Sequence, residues 1–99
     1  MASRYFADIV RQYKNEVKQR YSVASVYLFG SCAKNTYSED SDIDVAFIID
    51  QDYSYSDELE IMKLRRKIDL RLEPHLFNKS DLKNNNPYIQ EILKTGIEI

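Results

Sequence analysis

Gly30 and Ser31, followed after ten residues by Asp42 and Asp44, are the residue types and the spacing in this chain best suited to chemistry on phosphate groups. Glycine turns the backbone without interference from a Cβ, so the amides that follow it, the Ser31 hydroxyl and a short helix through Cys32 and Ala33 can face a polyanion. Asp42 and Asp44 lie two apart, and alternate residues of a strand share a face. Their carboxylates therefore point the same way, about 7 Å apart. Two such oxygen donors suit one or two hard cations of the magnesium kind, with substrate phosphates and water completing octahedral shells.

Those residues need elements to hold them. Val23 to Phe29 is rich in β-branched, aromatic and aliphatic residues and reads as a buried strand that stops at Gly30. A second strand runs from the aspartates through Val45, Ala46, Phe47, Ile48 and Ile49, which places the acids at the mouth of an element whose remainder is core. Ahead of both, Ser3 suits a helix cap, and Phe6, Ile9, Val10, Tyr13 and Val17 form one apolar stripe on a helix running to about Arg20. Asp50 to Ser56 reads as a polar loop, after which Ser56 or Asp57 caps a helix through Leu59, Met62 and Arg66.

Ile68, Leu70 and Leu72 alternate with Asp69, Arg71 and Glu73, the period of a strand with one polar face, and Pro74 is expected to end it. A last helix is expected near Pro87 to Lys94, with Asn86 as cap and Gly96 as stop, before a short edge strand at Ile97 to Ile99.

Composition narrows the function classes. A chain of 99 residues, 43% hydrophobic and 30% charged, suits a single domain spanning residues 1–99. It has no apolar run long enough to span a bilayer and no N-terminal signal pattern, so a cytoplasmic location and no membrane partner are expected. Net charge of −2 argues against a broad nucleic-acid surface, which needs many lysines and arginines. Lys14, Lys18 and Arg20, and the run Lys63, Arg65, Arg66 and Lys67, read as solvated helix ends. Cys32 has no partner for a disulfide and reads as small buried filler.

In Val26-Tyr27-Leu28-Phe29-Gly30-Ser31 and Ser41-Asp42-Ile43-Asp44-Val45 the chain resembles the minimal nucleotidyltransferases of the DNA polymerase beta-like superfamily, from its first helix to its C-terminus. The resemblance implies an α/β (α+β) nucleotidyltransferase fold, a small mixed β-sheet with helices packed mainly on one face. It implies a third acid on a later strand, at the position matched by Ile68-Asp69-Leu70, with Glu73 as the other carboxylate on that strand face. In these roles Asp42 and Asp44 would bind Mg2+, Asp69 would bind the ion nearer the acceptor and help remove its hydroxyl proton, and Gly30 and Ser31 would hold the β- and γ-phosphates of ATP. Lys34 is either a point charge for phosphate or solvated, and His75 reads as a surface or partly buried residue rather than a ligand.

The minimal members of that superfamily typically act as antitoxins paired with a HEPN-type toxin, an RNase, and can transfer AMP to a tyrosine hydroxyl of the toxin. The resemblance thus implies a protein acceptor, and a chain this short either leaves its nucleotide half exposed or borrows walls from another protein or a second copy of itself, in a hetero- or homo-oligomer. Two other functions fit the same residues: a non-catalytic module that masks its partner by contact, and an aminoglycoside-type enzyme with a small hydroxylated acceptor. Eight tyrosines suit a contact surface, and Tyr53 and Tyr55 are the candidates for partner contact or modification.

Overall fold

The apolar stripe of the first helix is what binds it to the rest of the chain. In the computed structural model, which describes residues 4–34, 36, 41–84 and 86–99, α1 spans Arg4–Lys18 and buries Phe6, Ile9, Val10, Tyr13 and Val17. Each such side chain removed from water contributes about 1.5–3 kcal/mol. Tyr13 also donates its hydroxyl to the Ile61 carbonyl at 2.6 Å and stands edge-on to Phe47 at 5.1 Å. The expected cap at Ser3 and the tyrosine at 37 lie outside the described residues.

Four strands form one mixed sheet in the order β3-β2-β1-β4. β1 (Val23–Phe29) runs antiparallel to β2 (Ile43–Ile49) and to β4 (Ile97–Glu98), while β2 and β3 (Leu72–Asn78) are parallel. Ile43, Val45, Phe47 and Ile49 of β2 face the core shared with α1 and α3 (Tyr55–Leu64). Asp44 and Ala46 therefore belong to the other face, where Ile92 of α4 (Pro87–Thr95) packs on Phe29 and Ala46. Among the described residues, no helix is long and apolar enough to cross a membrane.

Local signals explain most boundaries. Asn86 caps α4 by accepting from the Tyr88 amide at 2.9 Å, and Pro87 occupies the first turn, where a missing N–H costs nothing. Gly96 ends the helix at φ −74°, an ordinary angle. Space, not conformation, requires glycine there, since a Cβ would crowd the carbonyls of Ile92 and Leu28.

Two boundaries differ from the sequence-based expectation. α3 starts two to three residues earlier than expected, because Ser54 is the cap and exchanges a capping box with Asp57. Tyr55 is consequently the first helical residue, and it is 73% exposed. The third strand does not run through 68–73: a 3-10 turn at Arg65–Lys67 leads into a bend, and β3 begins at Leu72 and continues through Pro74 to Asn78. β3 has a neighbour on one side only, so an edge position tolerates a proline that lacks a donor.

Candidate active site

β1 delivers the chain to Gly30, whose φ of +74° is the left-handed conformation that an L side chain resists. The Gly30 carbonyl accepts from the amides of Ala33 and Lys34 at 3.1 and 3.2 Å, which winds α2 (Ser31–Lys34) directly off the strand. Cys32 is fully buried and its thiol donates to the Asp42 carbonyl at 3.4 Å, tying α2 to the entrance of β2. Burial, and after it the charge of Asp44, pushes that thiol's pKa up, so it stays protonated and structural, in line with its reading as filler.

Asp44 is where the pieces meet. It pairs in register with Phe29 of β1 on one side and with Glu73 of β3 on the other. Its carboxylate lies so close over Gly30 that a Cβ on that residue would collide with Oδ2. Asp42 precedes the strand, exposed, and the buried Ile43 between them leaves both aspartates on the face opposite the core. Glu73 shares Asp44's face because neighbouring residues in register point the same way.

His75 follows two residues later on that face. Its Nε2 stands 3.3 Å from Asp44 Oδ1, its Nδ1 stands 3.4 Å from the Tyr88 hydroxyl of α4, and Phe29 meets the ring edge-on at 5.1 Å. The residue is partly buried, as read from the sequence, but its place beside a candidate ligand was not legible there. The alternation Glu73-x-His75-x-Phe77 is the signal that would have found it, had the strand been continued past Pro74.

Asp69 is placed differently from expectation. It sits in the bend ahead of β3, and Arg71 engages its carboxylate through the backbone amide at 2.9 Å, Nε at 3.0 Å and Nη2 at 2.7 Å. Those hydrogen bonds hold the Asp69 carboxyl below the usual carboxylate range. Arg71 further donates to the Tyr5 hydroxyl at 2.6 Å and lies 5.6 Å from the Tyr5 ring and 5.9 Å from the Phe6 ring. This ion pair thus fastens the bend to the start of α1, and the acid registered beside Asp44 is Glu73.

Comparison with known proteins decides what such a site belongs to: the profile of the family described as "Nucleotidyltransferase domain" matches residues 10–98. The chain is a nucleotidyltransferase of that family. It is 35% identical over 92 residues to a protein of Methanocaldococcus jannaschii (strain ATCC 43067 / DSM 2661 / JAL-1 / JCM 10045 / NBRC 100440) named "Putative protein adenylyltransferase MJ1379", covering 91% of this chain and 89% of the relative. Among solved structures, a toxin–antitoxin complex with AMP-PNP superimposes with a TM-score of 0.62 at 21% identity, covering 88% of this chain and 69% of that one. A mutant of the toxin–antitoxin pair MntA–HpeT gives 0.60 at 18% identity, covering 92% and 69%. These two structures share the fold, with its mixed sheet and four helices.

A nucleotidyltransferase fold implies a divalent cation, and the donor set here fits one. Asp42, Asp44 and Glu73 offer hard oxygens, and among the described residues none of them pairs with a lysine or arginine. No group of three His, Cys, Asp or Glu side chains among the described residues stands close enough to hold an ion alone. Magnesium commonly takes only one or two carboxylates and completes its shell with phosphate oxygens and water.

Proposed function

We propose that this domain transfers AMP from ATP, with Mg2+, to a hydroxyl of a partner protein, a tyrosine of a HEPN-type RNase toxin, and so acts as the toxin's antitoxin in the cytoplasm. The observation that carries it is the contact of Gly30 with the Asp44 carboxylate, which sets a phosphate-facing turn against a candidate cation ligand. Support for a protein acceptor comes from the relative named for protein adenylyltransfer, and support for a toxin partner from the toxin–antitoxin structures of the same fold.

In this mechanism the Ser31 hydroxyl and the amides of Ser31 and Cys32, which open α2, receive the β- and γ-phosphates, and Lys34 lies exposed at the end of that turn to add a positive charge. Asp42 and Asp44 would hold the cation together with phosphate oxygens and water, and Glu73, in register beside Asp44, takes the place that the resemblance gives to Asp69. When bound, Mg2+ supplies charge neutralisation on the phosphates and a lower barrier to loss of the acceptor proton. Glu73 accepts the proton of the tyrosine hydroxyl, the phenolate oxygen forms its bond to the α-phosphorus, and the bond to the β-phosphate oxygen breaks to release pyrophosphate. The in-line arrangement is set by the strands, because Asp44 and Glu73 are fixed by sheet register.

The test is incubation of the purified domain with α-labelled ATP, Mg2+ and the cognate toxin. Label should appear on a toxin tyrosine. If the complex forms and neither protein is labelled, the domain masks its partner by contact alone; label on a hydroxylated small molecule instead would make it an aminoglycoside-type enzyme.

A further inference from the structure

The aspartate nearest the phosphate-facing turn is itself held by a histidine, and that histidine is held from its other side. Asp44 carries negative charge toward His75 Nε2 at 3.3 Å, and the Tyr88 hydroxyl stands 3.4 Å from Nδ1. A carboxylate only accepts hydrogen bonds, so the contact with Asp44 needs a hydrogen on Nε2, while the Tyr88 hydroxyl, which can donate or accept, meets the ring at Nδ1. Phe29 edge-on at 5.1 Å and Tyr88 at 6.3 Å between ring centroids limit the ring's freedom to turn. The chain of contacts runs from α4 through β3 to β2, which makes the C-terminal helix part of the site.

We propose that His75, donating from Nε2 and braced by Tyr88 at Nδ1, is a positioning residue that fixes the rotamer of Asp44 for cation binding. The proposal rests on the reading of Asp44 as a cation ligand. Hydrogen-bonded partners of ligands orient them, and their loss typically lowers metal affinity or activity about 10- to 100-fold. Without His75, Asp44 loses a contact that aims it, while the Gly30 backbone stays beneath it.

The chain contains one histidine, so imidazole 15N resonances need no assignment by mutagenesis. In the metal-free protein, Nε2 should carry a proton whose resonance is lost or shifted in Asp44→Asn. An Nε2 without a proton in the unsubstituted protein, or a ring indifferent to Asp44→Asn, overturns the proposal without any variant of His75. Kinetically, His75→Leu should raise the Mg2+ concentration for half-maximal transfer about 10- to 100-fold. His75→Gln, whose amide donates from nearly the same place, should stay within about three-fold; a Gln variant as impaired as the Leu variant also overturns it. Should Asp44→Asn leave the Mg2+ requirement unchanged, the ligand assignment fails, a result separate from what the 15N spectra report.

Discussion

Gly30 and Asp44 form a single unit: the backbone of the one, at φ +74°, is the floor beneath the carboxylate of the other. Any side chain at position 30 must displace that carboxylate, and it must also adopt a left-handed conformation costing about 1–2 kcal/mol. Gly30→Ala is therefore expected to lower transfer about 100-fold, the effect of misplacing a reacting group by roughly an ångström. Thermal unfolding should fall only by the amount the strain accounts for. A variant that transfers AMP normally would show that Asp44 need not occupy its observed place.

Asp42→Asn and Asp44→Asn remove charge without removing volume. Both side chains are at least partly exposed and contribute repulsion in the absence of a cation, so the melting temperature should hold or rise slightly while transfer is lost. Circular dichroism melts beside labelled-ATP transfer check this, and unfolding of either variant would mean that the acids are structural.

Glu73 and Asp69 compete for the role of third acid, and their surroundings separate them. Glu73→Gln should reduce turnover by at least about 100-fold at unchanged stability, the usual scale for losing a proton acceptor. Asp69→Asn should leave turnover at saturating ATP largely intact while lowering stability. The reverse pattern would return the catalytic role to Asp69.

The pH dependence of stability gives a separate check on the Asp69–Arg71 pair. The folded-state pKa of Asp69 lies below its ordinary value, with hydrogen bonds from Arg71 as the leading cause. A depressed folded pKa means stabilisation that is present above the unfolded value of about 3.9 and lost as pH falls through the lower folded value. The side chains are 16% and 30% exposed, so a contribution of about 1–3 kcal/mol is expected for these charge-assisted bonds. Urea unfolding should show that gap between the unsubstituted protein and Asp69→Asn at pH 7, shrinking below about pH 3.

Much of the scaffold was legible because its signals are local. The stripe on α1 is the buried set found in the structure, the strand into Gly30 ends where glycine permits it, and Asn86 with Pro87 starts α4. The spacing from Gly30-Ser31 to Asp42 and Asp44 likewise depends on one hairpin-like pair, β1 against β2, joined through the short α2. The alternation at 68–73 misled because a bend followed by a strand carries the same short pattern as a strand alone, and Pro74 looked like a terminator.

The amino-acid order by itself determined the kind of chemistry, since glycine, hydroxyl and paired carboxylates at that spacing have one obvious use on phosphates. Which acid stands in register beside Asp44, and that His75 and Tyr88 stand behind Asp44, was decided only by the parallel register of β3 on β2 and by the seating of α4. Register between distant strands is set by how whole faces pack, and a shift of one residue would send Glu73 and His75 to the opposite side of the sheet.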